Sequence, residues 1–303
     1  MAKPRSFIGL AVTSFAVVAA AAALESALRK SLSRPSLDGP PGTSAARGLD
    51  RAGALLAAAA LADSATEHYR GSFHNPIMAL PLGVAAQTLG ASLHGAADRQ
   101  QPSVTRDFSH ALALITGIAG TGFHCYNVLK RPGGWSWLNL FYAAPLGAPA
   151  ALSLSGMLGG LAERLRRGGT TICGTRTGLL IARLVTLGLV GTTGEAALMH
   201  FRGAYHNPAM IVPVTVPPVA AGLLAAASLA PCWISPARWS MRLLTAIGLI
   251  GAGFHAYGIQ RNMGGWRNWS QNLLNGPPLP APPAFTALAL AGLAALKLIE
   301  RQR

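Results

Sequence analysis

Apolar residues in this chain gather into long unbroken runs, separated by short stretches rich in arginine, glycine and proline. They neither alternate nor keep to a narrow helical stripe. A run of about 20 apolar residues is what an α-helix needs to cross a hydrocarbon layer roughly 30 Å thick. Nine such runs are legible, at 7–28, 50–68, 76–96, 108–128, 140–162, 177–199, 208–230, 240–260 and 280–298. The second is interrupted by Asp50, Arg51, Asp63 and Glu67, and it is predicted because a later segment matches it. The pattern therefore predicts an all-α polytopic membrane protein of about nine transmembrane helices.

The chain also carries an internal repeat. HYRGSFHNPIMALP at 68–81 aligns with HFRGAYHNPAMIVP at 200–213, with eight of fourteen positions identical, and the same offset of 132 carries Asp63 onto Glu195. GIAGTGFHCYNVLKRPGGW at 117–135 aligns with GLIGAGFHAYGIQRNMGGW at 248–266, with nine of nineteen identical. Asn139, Pro145 and Pro149 then match Asn272, Pro278 and Pro282. The expected organisation is an N-terminal transmembrane helix and linker (1–45), a first four-helix repeat (46–168) and a second (169–303). Four spans per copy is an even number, so both copies enter the membrane in the same orientation. Their expected relation is a pseudo-two-fold axis along the membrane normal.

Composition agrees with a membrane location: 51% of residues are apolar and 12% charged, against about 25% charged in soluble proteins. The net charge of +15 comes from 25 Lys and Arg against 10 Asp and Glu, spread between the apolar runs. No basic block of the kind that binds nucleic acid is present. With the N-terminus outside, sixteen basic residues fall on the inner side or at inner span ends and eight on the outer, and the remaining one, Arg183, lies deep within a span. The excess predicts N-out, C-in topology, in the manner of a bacterial inner-membrane protein. Reading the first span as a cleaved signal peptide forces the opposite, poorer assignment. Cys125, Cys173 and Cys232 form neither CxxC nor CxxCH, and the chain contains neither GxSxG nor GxxxxGKS. Zinc-finger, c-type haem, hydrolase and phosphate-loop chemistries thus lack their motifs.

The repeat singles out candidate chemistry. Six of the eight histidines occur as matched pairs, His68/His200, His74/His206 and His124/His255, whereas His94 and His110 align with apolar residues and read as interfacial. The matched histidines are predicted at one depth near the external face. Asn75-Pro76 and Asn207-Pro208 read as N-cap plus first helical position. Gly71 and Gly203 suit the reversal before them, and Pro81 and Pro213 should kink the following span and free a carbonyl. Asp63 and Glu195 lie within spans, where ionisable groups mark functional positions by default. They are candidates for proton handling, unless a neighbouring arginine such as Arg183 pairs with them.

Two histidines on facing helices can supply both axial ligands of a b-type haem. His68 or His74 with His124, and His200 or His206 with His255, are the candidates, with Met78 and Met210 as alternative ligands. Arg70 and Arg202 suit the propionates. The flanking glycines (117, 120, 122; 248, 251, 253) allow a flat macrocycle or another helix to approach. The expected function is an electron-transfer subunit of an oxidoreductase complex, working between an extracytoplasmic redox partner and quinone. In architecture it resembles the anchor subunits of quinone-linked respiratory enzymes, some of which carry no haem. A non-haem metal held by the same histidines is the alternative, although HExxH and ExxH are missing. A proton-coupled transporter, or an anion or lipid binder, is another. Trp135, Trp137, Trp266 and Trp269 are expected at the outer interface, with the paired GGW loops over the site.

Overall fold

The computed structural model describes residues 41–97, 101–143 and 145–301. The predicted first span, 7–28, lies outside them. Ten helices are present among the described residues. They are α1 (Pro41–Arg70), α2 (Leu80–Ala97), α3 (Val104–Leu129), α4 (Trp137–Tyr142), α5 (Gly147–Arg166), α6 (Thr177–Arg202), α7 (Val212–Leu229), α8 (Ile234–Arg261), α9 (Trp269–Asn275) and α10 (Pro283–Arg301). Short 3-10 turns at Pro76–Ala79 and Pro208–Ile211 lead into α2 and α7. A two-residue hairpin, β1 (Thr171–Ile172) and β2 (Thr175–Arg176), joins α5 to α6.

Six helical segments have the length and hydropathy to cross a membrane: 76–97, 104–129, 177–202, 208–229, 231–261 and 283–301. This is a multi-pass membrane protein. α1 and α5, which answer to the predicted spans 50–68 and 140–162, fall outside that set because each carries several charges. Two boundaries differ from expectation. Residues 41–49, which precede the predicted span at 50–68, form the first turns of α1. Ala45, Ala46 and Leu49 are fully packed there, and burial overrides weak local propensity. The span 140–162 is split into α4 and α5 around Pro145, because a proline cannot continue the preceding helix.

The helices close into two rings. α1 packs on α2, α2 on α3, α3 on α5 and α5 on α1; α6, α7, α8 and α10 repeat this circuit. The rings join chiefly through α1 against α10. A shared core follows that seam, with Leu56, Leu158, Ile181, Leu224, Met241 and Leu288 all closed to solvent. α10 is central, since 72% of its apolar window is inside the protein, against 17% for α3 and α8. The outward faces of α3 and α8 carry Phe108, Ile115, Ile118, Leu243, Leu249 and Ile250, all exposed, as surfaces facing lipid should.

The glycine clusters of α3 and α8 serve this packing. A Cβ at Gly117 would lie 2.3 Å from Ser153 Oγ and one at Gly248 2.3 Å from Thr286 Oγ1, while Gly120 and Gly251 face Pro149 and Pro282 at 3.1 and 2.9 Å. At these four positions the glycines admit a neighbouring helix. Only Gly122 and Gly253 face open space.

One end of the first ring is tied by buried charge. Arg166 reaches Asp50 (2.5 Å) and Glu163 (2.7 Å), Arg106 reaches Glu163 (2.7 Å), and all four side chains are 0–3% exposed. Arg106 Nη1 also meets His94 Nδ1 at 2.9 Å, and Arg166 Nη2 donates to Gly95 O at 2.6 Å. The network therefore links all four helices of that ring. The apolar runs place both arginines between predicted spans, whereas the fold buries their side chains within the first ring.

Candidate functional site

The HxRGxxHNP segments fold alike in both rings. Asn75 and Asn207 are extended and accept the N–H of Ile77 (3.1 Å) and Ala209 (2.9 Å), capping the 3-10 turns as expected. Pro81 and Pro213 occupy the second position of α2 and α7, so they mark the change from 3-10 turn to α-helix and do not kink a span. Lacking N–H, they cannot close a 3-10 bond onto Met78 O or Met210 O. The histidines supply that donor: His68 Nδ1 lies 2.6 Å from Met78 O, and His200 Nδ1 2.9 Å from Met210 O.

The reversal itself is not made by glycine. Gly71 and Gly203 instead leave room for the Met78 and Met210 methyl groups, which a Cβ would approach at 3.2 and 3.1 Å. The methionine side chains thus pack on the glycines. The left-handed positions are Ser72 (φ 56°), Phe73 (φ 43°), Ala204 (φ 54°) and Tyr205 (φ 47°). Such φ values cost roughly 1–2 kcal/mol for a residue with a Cβ. In return they set Phe73 edge-on to His68 and Tyr205 edge-on to His200, with ring centroids 6.1 Å apart in each case. Ala204→Gly is expected to raise stability by about 1 kcal/mol, read as a higher melting temperature in detergent.

His124 and His255 come to the same end of their rings from the C-terminal turns of α3 and α8. Their Nδ1 atoms lie 2.7 Å from Pro145 O and 2.6 Å from Pro278 O, just before α5 and α10. His74 and His206 bond Gly71 O (3.1 Å) and Gly203 O (3.0 Å) in the same way, but in exposed loops. All six matched histidines therefore face a carbonyl through Nδ1. A carbonyl only accepts, so each neutral ring carries its proton on Nδ1 and presents a lone pair at Nε2. Metal-ligating histidines are commonly held in this way. α1 and α3 face each other across the first ring, as α6 and α8 do across the second. His68 lies within electrostatic range of His124 and His74, and His255 within range of His200.

The GGW loops are built for support. Gly133, Gly134, Gly264 and Gly265 have φ of 88°, 55°, 81° and 52°, values that favour glycine. Asn139 Nδ2 donates to Pro132 O (3.0 Å) and Gly134 O (2.8 Å), and Asn272 Nδ2 to Met263 O (3.1 Å) and Gly265 O (2.8 Å). Trp135, Trp137, Trp266 and Trp269 are all exposed.

The acids and arginines differ between the rings. Glu195 Oε1 accepts the N–H of Gly147 (3.0 Å), so α6 of the second ring caps α5 of the first. A Cβ at 147 would fall 1.6 Å from Glu195 Oε2, so any larger residue there displaces that carboxylate. Gly147→Ala is expected to expel the carboxylate and cost about 0.5–2 kcal/mol, seen as a lower melting temperature. Glu195→Gln, which still accepts, should lose less. The charged groups around Asp63 are Glu67, Glu195 and Arg70. Arg183 is exposed and is not among them. Arg70 is paired with Glu67 at 2.6 Å, whereas Arg202 stacks over Phe141 (5.5 Å) and touches Met199 Sδ at 3.5 Å. Phe201 meets Trp137 and Phe141 edge-on, closing an aromatic contact between the rings at this end.

No group of three His, Cys, Asp or Glu among the described residues is arranged to hold a metal ion. Comparison of the chain with protein-family models, curated proteins and solved structures found no match.

Proposed function

We propose that this chain is an integral membrane electron-transfer subunit that binds b-type haem between diagonally opposed histidines. His68 and His124 serve the first ring, and His200 and His255 the second. The observation that carries this reading is the imidazole geometry: each of these four rings faces a backbone carbonyl through Nδ1 and keeps Nε2 for a ligand. Haem needs only two such nitrogens and supplies one-electron chemistry. The chain's own residues would hold the group, orient it and shield it from water. His74 and His206, exposed in loops, fit the ligand role less well than His68 and His200. Arg202, which has no acid paired with it among the described residues as Arg70 has Glu67, is the better placed of the two arginines to receive a propionate. Asp63 and Glu195, near one another across the ring junction, are the proposed proton-handling pair.

On this reading the two rings are tandem four-helix bundles related by a two-fold axis along the membrane normal, with α1 and α5 also spanning. Like hydrogen bonds at matched positions of the two rings favour it. The basic excess near 164–176 favours a cytoplasmic location for the end away from the histidines. The histidine end then meets an extracytoplasmic redox partner, with quinone as the membrane carrier, in a bacterial inner membrane. The test is visible absorption of the purified chain before and after dithionite, with haem counted after extraction into pyridine. A reduced α-band of the b type and two haems per chain are expected. A colourless protein expressed with ample haem would overturn the reading.

A further inference from the structure

At the end away from the histidine pairs, the two rings part company. The offsets of 131 to 133 place Asp50, Arg106, Glu163 and Arg166 opposite Ala182, Ala237, Leu296 and Ile299, and they place His94 and His110 opposite Ala226 and Met241. Ala182, Ala237, Met241, Leu296 and Ile299 are 0–3% exposed, so the second ring closes here with an apolar interior. Apolar packing of this kind is commonly as stable as a buried ion network or more so. Stability alone does not require the polar set of the first ring.

His110 stands apart even within that set. It is 1% exposed, and neither ring nitrogen has a hydrogen-bond partner among the described residues. An imidazole always carries at least one N–H, and burying it unpaired is costly. The charges in electrostatic range of it are Glu163, Asp107, Arg106 and Arg166. They are engaged elsewhere: Glu163 holds both arginines, and Asp107 pairs with Arg167. The ring fills the space over Gly159, where a Cβ would come within 2.3 Å of it. It also forms part of the wall of a groove of about 430 Å³ between α3, α5 and α6. The other walls are mostly apolar, from Leu114, Met157, Leu161 and Leu180. Gly160 borders the groove, and a Cβ there would meet nothing within 4 Å.

An apolar slot with one unsatisfied buried donor suits an apolar ring bearing a carbonyl acceptor. The geometry points to a binding site for the head of an isoprenoid quinone, whose carbonyl accepts the N–H of His110 and whose tail runs out into lipid. Both ring nitrogens are closed to solvent, so the ligand engages one only when the imidazole turns about its Cβ–Cγ bond. The site deepens the proposed electron-transfer role and rests on it for the choice of quinone. His110 lies fourteen residues before His124 on α3, about 21 Å of helix rise. The quinone site therefore sits toward the opposite membrane face from the histidine pairs.

The experiment is a titration of the purified full-length chain in detergent with decylubiquinone, read by quenching of tryptophan fluorescence, with the visible spectrum recorded on each sample. Wild type should bind saturably. Gly160→Leu, which fills the groove from an open position, and His110→Phe, which keeps a ring but removes the donor, should each weaken binding about tenfold or more. Their haem spectra should not change. Saturable binding that is unaltered in both variants, or no saturable binding by wild type, overturns the proposal. So does the retention of an ester-linked phospholipid, detected by native mass spectrometry and lost in Gly160→Leu, without any binding of decylubiquinone. A colourless protein that still binds decylubiquinone through this groove sinks the haem reading and leaves the quinone site standing.

Discussion

His68→Asn combined with His200→Asn is expected to empty both haem sites, while either change alone halves the haem per chain. Asparagine is the informative replacement, because its Nδ2 stands near where histidine has Nδ1. It can still donate to Met78 O or Met210 O, so the tether from α1 to the start of α2, or from α6 to the start of α7, is kept. It has nothing at the place of Nε2, so the ligand is lost. Alanine removes both functions and leaves a carbonyl without its donor, a loss of about 1–3 kcal/mol. The contrast separates a histidine that only ties a loop from one that also binds a cofactor. If the asparagine variants keep their full reduced absorption band, the histidine pairs do not ligate haem. Melting temperatures of the asparagine variants should stay near wild type, and those of the alanine variants should fall.

The second large effect is on stability and is centred on Arg166. Arg166→Met leaves Asp50 without its cation and takes one of two from Glu163, both carboxylates being closed to solvent. Removing one partner from a buried ionic network typically costs about 3–5 kcal/mol, and the variant should melt well below wild type in detergent. The second ring suggests the rescue. Asp50→Ala, Arg106→Ala, Glu163→Leu and Arg166→Ile made together copy the residues found at Ala182, Ala237, Leu296 and Ile299. That fourfold variant should recover most of the lost stability, because no charge is left unpaired and the groups act as one unit. If the fourfold variant melts as low as Arg166→Met, the network is a requirement of the fold and not an addition to it.

Much of the local structure at the histidine end was legible because it obeys short-range rules. The Asn-Pro starts of the two 3-10 turns and the carbonyl freed beside each proline follow from capping geometry and a missing N–H. The partner of that carbonyl was not legible. Met78 O is reached by His68 from ten positions earlier, and Pro145 O by His124 from twenty-one positions earlier. The residues that make the turn were hidden for a related reason. Glycine at 71 is there for the Met78 methyl, while Phe73 takes the left-handed backbone so that its ring braces His68. Local preference favoured the glycine, and packing decided otherwise.

The apolar runs and their spacing sufficed for an all-α membrane chain, because in lipid the backbone must satisfy its own hydrogen bonds within each segment. The internal matches likewise picked out six histidines, two acids and two arginines as a set. Side-chain partnership across helices was settled only by the tertiary structure: that Glu195 caps Gly147 of the other ring, that Arg202 lies on Phe141, and that His110 is buried with no hydrogen-bond partner among the described residues. Those outcomes depend on which helices become neighbours, and that depends on how small residues such as Gly117 and Gly248 let backbones approach. Such contacts lie far apart in sequence and leave no periodic trace in it.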